Sequence, residues 1–431
     1  MRKYIKETIK YLLRSYPIIY PYIKEIEKMY AMTPEELNQR NEQVFLKIFR
    51  KAYDKSPFYH KLYTEANINK EDINGLDDIK KLPIITKDMI RKYPEKLLTT
   101  QKTINLIKAH TSGTTGTPLT VYESWNSIWR EQAYFYCYRK RCGFTYGQKI
   151  VSLRGNLDRN EISLYIHISK TLYLSSFNMN DKTIVKYFQK IKKHKPIAIE
   201  GFPSSLYSLC LLLNDKGYKC QIPICFTSSE TMYDYQRKYI EKTLHTQIYD
   251  HYGSTERSIR LSESFNHSGY FEDPGYSVNE YTNNGIITTS LINDVFPLIR
   301  YQMNDLIELN NIINNNDRPI PPIVKKIYGR SINYIIGQDG THYSDSALTF
   351  IFKSVPNVRM AQFVQYEKGI VNINIVPERD FNESNKQIIL NMMDQKVGLS
   401  NIKVTINIIS INEIIYTSRN KLSLVINKIN Q

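Results

Sequence analysis

The sequence predicts an α/β protein with a large N-terminal domain and a small α+β C-terminal domain. Short apolar segments alternate with helical stretches in the first part of the chain, and this alternation is typical of a parallel sheet covered by helices. With 431 residues, 42% of them hydrophobic, the chain exceeds one typical core. The pattern changes after about residue 275, where strands follow one another through short turns.

The first thirty residues predict a basic helix, because lysines and arginines are interleaved with isoleucine, leucine and tyrosine. Such helices lie on anionic membranes, but a basic helix that packs on its own domain has the same pattern. Peripheral membrane contact and a purely structural role are therefore both open. Nothing in this segment resembles a signal peptide, and no apolar run is long enough to span a bilayer. We expect a cytoplasmic protein.

The next elements have clear start signals. Thr33 opens Thr-Pro-Glu-Glu, an N-cap followed by proline and acids, and the helix that it begins should end before Ser56 and Pro57. Another helix start is predicted at Thr86, with Asp88 in its first turn. Further along, strands are predicted at 149–153, 197–199, 224–227 and 247–249, and helices at 204–216 and 231–245.

The C-terminal part contains the segments GIITTSL and PLIRYQMNDLIELN, which predict strands, and a polar loop with prolines at 310–322. Strand patterns at 361–366, 369–376 and 402–410 surround a helix pattern at 382–394. We place a domain boundary near Gly329 and Arg330, which gives domains at 1–329 and 330–431.

Cysteine content and charge narrow the classes of function. The odd number of cysteines and the absence of a CxxC pair indicate reduced, mostly buried thiols rather than a disulfide framework or a thiolate zinc site. The five are Cys137, Cys142, Cys210, Cys220 and Cys225. The formal charge of +16 attracts nucleic acids, anionic lipids or acidic nucleotides, and charge alone does not choose among them.

The segment HTSGTTGTPL, residues 110–119, combines two glycines with several hydroxyl side chains. Glycine lets backbone amides approach a ligand closely, and serine and threonine add donors, so the composition suits phosphate oxygens. Gly116 is followed by Thr117 and Pro118 rather than by Lys-Ser/Thr, so the segment is not a Walker loop. An ordinary surface turn has a similar composition.

A second motif, HYGSTE at 251–256, makes the chain resemble the adenylate-forming ligases, which activate carboxylates with ATP. SPFYHKLY, LPIITKDMIR, TSSETM and GIITTSLINDVFPLIRYQMNDLIEL are similar to the phenylacetate-CoA ligase-like family, in particular its CapK-like capsule-biosynthesis branch. The resemblance extends from about residue 30 to 425. It implies a large adenylate-forming N-terminal domain and a small mobile C-terminal domain that rotates between two half-reactions.

The resemblance also implies the roles of individual residues. The glycine-rich loop would hold the ATP phosphates, Tyr252 would stack on adenine, and Glu256 would hold Mg²⁺, a cation that prefers oxygen ligands. Asp305 would accept hydrogen bonds from the ribose, Arg330 would be the hinge arginine, and Lys421 would be the mobile lysine of the adenylation step. The remaining nucleotide-site residues implied are Thr111, Ser112, Gly113, Thr114, Thr115, Gly116, Ser229, Glu230, Gly253, Ser254 and Thr255.

The chain departs from the family pattern at three places. Ile332 and Asn333 replace the acids that commonly follow the hinge arginine, and Asn420 replaces the glycine before the terminal lysine. Some relatives bind a structural zinc through cysteines, but residues 257–330 contain no cysteine and one histidine, His267, so we predict no zinc.

The leading hypothesis is an ATP- and Mg²⁺-dependent ligase that forms an acyl-AMP and transfers the acyl group to an amine or to the thiol of CoA, in surface polysaccharide biosynthesis. Its partners would be a small carboxylic acid and the acceptor. A degenerate nucleotide-binding protein and a basic nucleic-acid-binding protein are the alternatives, and retention of Glu256, Asp305 and Lys421 argues against the first. No nucleic-acid-binding motif supports the second. The sequence does not identify the carboxylic acid substrate, although the aromatic residues at 134–136 and Arg154 are candidates for its pocket.

Overall fold

A computed structural model describes residues 2–100, 104–110, 119–153, 157, 161–176, 178–282, 285–303, 305–310, 323–330, 334–344, 348, 351–352, 355–416 and 422–429. The helices of these residues, in chain order, are α1 (Arg2–Leu12), α2 (Tyr16–Ala31), α3 (Pro34–Lys55), α4 (Pro57–Glu65), α5 (Lys87–Arg91), α6 (Trp125–Arg141), α7 (Ile184–His194), α8 (Pro203–Asp215), α9 (Asp234–Leu244) and α10 (Glu383–Lys396).

The strands of the N-terminal part, in chain order, are β1 (Ile107–His110), β2 (Thr120–Glu123), β3 (Ile150–Leu153), β4 (Ser163–Ile166), β5 (Thr171–Leu174), β6 (Ala198–Gly201), β7 (Ile224–Ser228), β8 (Gln247–Gly253), β9 (Arg260–Glu263), β10 (Tyr270–Glu272), β11 (Ser277–Thr282), β12 (Gly285–Ser290), β13 (Tyr301–Met303), β14 (Asp305–Leu309) and β15 (Val324–Arg330). The later strands are β16 (Tyr334–Ile336), β17 (His342–Ser344), β18 (Val358–Glu367), β19 (Ile370–Pro377), β20 (Lys403–Ile408) and β21 (Val425–Asn427).

Ten strands form the central sheet in the order β14-β15-β10-β9-β8-β7-β6-β3-β5-β4. The strands β5, β3, β6, β7 and β8 are mutually parallel, and antiparallel strands continue the sheet on both sides. Parallel neighbours need crossover connections, which α7, α8 and α9 supply. The carboxyl ends of the parallel strands therefore meet at one edge of the sheet.

Helices cover both faces of this sheet. On one face, α7, α8 and α9 pack on inward side chains such as Leu153, Ile199 and Ile248, and α8 is buried from Pro203 to Leu213. On the other face, Tyr138 of α6 packs on Phe226 of β7 and its neighbours. A sheet buried on both faces explains why these strands read as short continuous apolar runs in the sequence.

The C-terminal part has a four-stranded sheet, β20-β19-β18-β21, covered by α10 around a core that includes Phe363 and Ile389. This part packs against α8, because Met360, Val376 and Ile414 belong to the same apolar cluster as that helix. The proposed boundary at residues 329 and 330 falls at the end of β15 and remains a prediction.

The helix and strand predictions are confirmed within a few residues. Thr33 caps α3 with a capping box, α3 ends at Lys55, and Thr86 precedes α5. The basic N-terminal segment forms two helices rather than one, with Pro17 in the first turn of α2. All five cysteines are free and buried, as expected. Among the described residues, no helix is both long and apolar enough to cross a bilayer.

Candidate active site

The motif at 251–256 lies where β8 ends. Tyr252 and Gly253 are the last residues of β8, at the edge formed by the carboxyl ends of the parallel strands, where α/β sheets commonly bind ligands. Ser254 accepts a hydrogen bond from the backbone N–H of Ser258 at 3.2 Å and closes the turn. Thr255 is exposed within this turn. The strand end therefore presents Tyr252 to the sheet edge.

Tyr252 and Asp305, which lie 53 positions apart in sequence, meet at this edge. The Tyr252 hydroxyl donates to Asp305 Oδ2 at 2.5 Å. Asp305 is the first residue of β14 and is half-buried. The structure thus brings together the aromatic ring and the carboxylate that the sequence analysis assigned to adenine and ribose.

Glu256 follows in the turn, and its side chain points inward, with 5% of the residue exposed. The Tyr301 hydroxyl donates to Glu256 Oε1 over a long 3.4 Å. A buried carboxylate with such a weak protein partner suits a divalent cation, since Mg²⁺ takes carboxylate oxygens and usually shares them with phosphates. Glu256 is therefore a buried acid rather than a solvated surface residue.

The segment after β7 borders the same edge. Ser229 is exposed and has a left-handed backbone, with φ of 69°. Glu230 Oε2 accepts from the backbone N–H of Ser204 at 3.0 Å in the first turn of α8, so its side chain caps that helix. Thr231 donates to the carbonyl of Tyr328 at 3.2 Å. The segment is therefore joined to β15.

The strand β15 carries the predicted hinge arginine. Arg330 is the last residue of β15, and in the antiparallel pairing of β14 with β15 it lies directly opposite Asp305. The backbone of the predicted hinge is thus adjacent to the residue assigned to ribose. Ile332 and Asn333 lie outside the described residues.

The C-terminal part reaches the same region. The backbone N–H of Leu422 donates to Ser204 Oγ at 3.4 Å, and the backbone N–H of Ser204 donates to Glu230. Tyr207 of α8 donates to the carbonyl of Arg359, and Arg359 pairs with Asp215 at 2.7 Å. The C-terminal part is thus held beside the end of β7.

Two predicted groups lie outside the described residues. These are the catalytic candidate Lys421 and the loop residues Thr111, Ser112, Gly113, Thr114, Thr115 and Gly116. The described strands that border the loop, β1 and β2, pair antiparallel, with His110 opposite Thr120. Arg154, considered for the acid pocket, is also outside the described residues.

A cavity of about 260 Å³ lies between α1, α6 and the sheet. Phe135 and Tyr136 line it, whereas Tyr134, also considered for the acid pocket, is buried in the core against Tyr276. The Phe135 ring lies perpendicular to the imidazole of His251, with ring centres 5.0 Å apart, so the cavity is one side chain from the 251–256 motif.

The cavity also contains an ion pair that the sequence analysis missed. Arg139 of α6 donates to Glu200 Oε2, and Ser152 of β3 donates to Glu200 Oε1 at 2.7 Å. The sequence does contain a signal for this pair. Glu200 is the acid in the apolar strand AIEG, and a charged residue is rare inside a buried strand.

A second ion pair lies immediately after Glu256. Arg257 Nε lies 2.6 Å from Glu123 Oε1, and Arg257 has a left-handed backbone. Burial raises the pKa of Glu123 above its usual range, although the charge of Arg257 opposes the shift. This pair joins the motif to the end of β2, the strand that follows the glycine-rich loop. The sequence analysis did not assign either residue.

No group of three or more histidine, cysteine, aspartate or glutamate side chains arranged for a metal ion occurs within the part of the chain that the structure describes. His267 lies 3.2 Å from Glu263 and 3.3 Å from Arg237, in a polar cluster beside β9.

Sequence comparisons find similarity to a family model and to known proteins. The CapK C-terminal domain family matches residues 335–428. The chain is 25% identical over 380 residues to Protein CapK of Staphylococcus aureus, covering 84% of this chain and 83% of that protein. It is 24% identical over 332 residues to phenylacetate-coenzyme A ligase of Pseudomonas putida, covering 72% and 74% of the two chains.

Solved structures show the same fold. A 2-hydroxyisobutyryl-CoA ligase in the postadenylation state, in complex with 2-HIB-AMP, matches with a TM-score of 0.70 and 15% identity, covering 92% of this chain and 90% of that one. The same ligase in the thioesterification state matches with a TM-score of 0.56 and 16% identity, over 92% and 91% of the chains. The fold described above thus superposes better on the postadenylation structure than on the thioesterification structure.

The family match, the two relatives and the shared fold agree with the family that the motifs indicate. The chain is similar to the CapK-type, phenylacetate-CoA ligase-like branch of the adenylate-forming enzymes, and its residues 335–428 match the CapK C-terminal domain.

Proposed function

We propose that this chain is an ATP-dependent, AMP-forming ligase that activates a small carboxylic acid and transfers its acyl group to the thiol of CoA. The contact between Tyr252 and Asp305 carries the proposal, because it joins two distant sequence segments into one adenosine site. An aromatic ring beside a carboxylate suits a nucleoside, since the ring stacks on the base and the carboxylate accepts from the ribose hydroxyls.

In the first half-reaction, a carboxylate oxygen attacks the α-phosphorus of ATP, the bond between the α- and β-phosphates breaks, and pyrophosphate leaves. Both reactants are anionic, so the site must supply positive charge and donors. Glu256 would hold Mg²⁺, which would neutralise phosphate charge when bound. The glycine-rich loop would contribute backbone and hydroxyl donors.

In the second half-reaction, the acceptor sulfur attacks the acyl carbonyl, AMP leaves, and the thiol proton passes to solvent. Two findings support CoA as the acceptor, namely the phenylacetate-CoA ligase relative and the shared fold with a CoA ligase. The CapK relative, together with the CapK-like motifs, supports a role in surface polysaccharide biosynthesis, where an amine would be the alternative acceptor.

We assign the acid to the cavity beside α6. Its volume of about 260 Å³ lies near the lower limit for small-molecule pockets, so it suits an acid of a few carbons or one ring. Aromatic side chains would contact the apolar part, and the Arg139–Glu200 pair would face a polar substituent.

The proposal is tested by acid-dependent pyrophosphate release from MgATP, screened over small acids with and without CoA. We expect Asp305→Asn to weaken MgATP binding by about tenfold to a hundredfold, because hydrogen bonds to charged groups contribute about 1.5–3 kcal/mol. The matched control is Glu308→Gln on the same strand, whose carboxylate pairs with Lys325 at the surface. Equal binding by the two variants would contradict the adenosine site.

A second variant tests catalysis. A lysine ammonium can neutralise charge that grows on the α-phosphate during attack, and losing such a group typically costs about a hundredfold in rate. We expect Lys421→Ala to bind MgATP normally and to lose pyrophosphate release by about that factor, while Lys428→Ala keeps it. If no acid supports pyrophosphate release although MgATP binds, the degenerate nucleotide-binding protein is the better description.

A further inference from the structure

The two N-terminal helices differ in what they bury. Ile19, Ile23, Ile26 and Met29 of α2 are buried in a cluster that includes residues of α6, so α2 is a structural helix. In contrast, α1 leaves a row of aliphatic side chains in solvent. Ile5, Ile9 and Leu12 of α1 are 49%, 51% and 45% exposed, and Leu13, the residue after the helix, is 39% exposed. These positions repeat at helical spacing and form one face.

The opposite side of α1 is fixed to the protein. Tyr11 stacks on Tyr146 with ring centres 6.0 Å apart, and the indole N–H of Trp129 donates to the carbonyl of Leu13 at 2.9 Å. The orientation of the helix is therefore set by its aromatic contacts, and the aliphatic face points outward. Contiguous apolar patches on protein surfaces commonly mark interaction sites.

Basic side chains accompany this face. A shallow depression of about 500 Å³ lies along α1, and its described lining contains no acidic residue. Its cationic lining residues are Lys6, Lys10 and Arg14, and its apolar ones are Ile5, Ile9, Leu13, Ile107 and Trp125. Between positions 2 and 14 the sequence has five basic residues and one acidic residue. The charge complements an anionic surface.

We propose that this surface, the α1 face, docks the enzyme onto an anionic lipid bilayer. Aliphatic side chains that protrude beside lysines match the boundary between acyl chains and headgroups, into which such a helix inserts its apolar side. Ile107 on the far side of the depression belongs to β1, the strand that precedes the glycine-rich loop. Docking would therefore bring the nucleotide site close to the membrane surface.

Cosedimentation of the full-length protein with vesicles tests the proposal. We expect binding to vesicles of phosphatidylcholine with about one third phosphatidylglycerol, and little binding to pure phosphatidylcholine. Lys6→Glu with Lys10→Glu should weaken binding at least tenfold, because each basic residue near an anionic surface contributes about a fivefold factor. Ile5→Ser with Ile9→Ser should weaken it similarly, through lost insertion.

The matched controls are exposed residues far from α1 in sequence. Ile370→Ser with Ile408→Ser changes exposed isoleucines of the C-terminal sheet, and Lys61→Glu changes an exposed lysine of α4. The control variants should bind anionic vesicles as tightly as the wild type does. All variants should keep the wild-type Tm and the wild-type affinity for MgATP. Equal binding to both vesicle types, or unchanged binding by the α1 variants, would overturn the proposal. So would concentration-dependent self-association that Ile5→Ser and Ile9→Ser abolish, because the face would then meet a second copy.

Discussion

Asp250 is a carboxyl group enclosed by polar side chains of four neighbouring elements. Its oxygens accept from Thr227 at 2.6 Å and from Tyr270 at 2.7 Å, and its backbone N–H donates to Glu263 at 2.8 Å. Arg237 of α9 pairs with Glu263 at 2.6 Å. Burial and, to a smaller extent, the charge of Glu263 raise the pKa of Asp250 to about 7, against the effect of the two hydrogen bonds.

The raised pKa predicts a pH-dependent stability. In the unfolded chain this carboxyl titrates near about 4, so between about pH 4 and 7 the native state binds more protons and the free energy of unfolding falls as pH rises. Asp250→Asn removes this titration. We expect the variant to gain about 1–3 kcal/mol relative to wild type between about pH 5 and 8.

Urea unfolding of both proteins at the two pH values measures this change. Thr64→Ala on the surface of α4 is the control, because it removes no titrating group, and its difference from wild type should not depend on pH. A difference between Asp250→Asn and wild type that is the same at both pH values would mean that Asp250 titrates normally.

At the scale of elements, the N-terminal caps fix where helices begin. The Thr33 hydroxyl accepts from the backbone N–H of Glu36 at 3.2 Å, and the Glu36 carboxylate accepts from the Thr33 backbone N–H at 2.8 Å. The helix that they start, α3, buries Phe45, Ile48 and Phe49 in the main N-terminal core.

Removing this cap should destabilise the protein. We expect Thr33→Ala to lower the free energy of unfolding by about 0.5–2 kcal/mol, because one backbone donor loses its partner. Thr64→Ala is the matched control, since Thr64 lies within α4 and its hydroxyl donates to the carbonyl of His60. The two variants are compared by their urea unfolding midpoints, provided that the dependence of the unfolding free energy on urea concentration is unchanged. Equal destabilisation by the two substitutions would show that the Thr33 cap has no special contribution.

For the whole molecule, the proposed domain rotation depends on contacts made by α8. Arg359 of β18 pairs with Asp215 at the end of α8, with side-chain exposures of 15% and 38%. Met360 and Val376 bury their side chains in the same region. If the domain rotates between half-reactions, this interface must separate, so its charges should shift the balance between the two arrangements.

We therefore expect Asp215→Arg to slow acyl-AMP formation about two- to fivefold, because one partly exposed ion pair is worth at most about 1 kcal/mol and the repulsion is similar. The exchanged pair Asp215→Arg with Arg359→Asp should restore the rate. Lys216→Glu is the control, because the neighbouring Lys216 faces Asp181 of the N-terminal part. An unchanged rate in Asp215→Arg would show that this pair does not bias the arrangement.

Local sequence patterns determined most of the elements. The cap at Thr33, the start at Thr86 and the apolar runs of β3, β6, β7 and β8 are encoded within a few residues, because capping and hydrophobic periodicity act over one or two turns. The motif at 251–256 and the segment around Asp305, with their resemblance to a family, were likewise sufficient to propose roles for Glu256 and Asp305.

Tertiary structure decided what depends on contacts between distant segments. The Tyr252–Asp305 bond, the burial of Glu256, the capping of α8 by Glu230 and the Arg139–Glu200 pair each join residues from different elements, and local patterns do not encode which elements meet. The same reason separates the two N-terminal helices. Both sequences mix apolar and charged residues, but apolar residues of α2 are buried in a cluster with α6, whereas α1 leaves a row of aliphatic side chains in solvent.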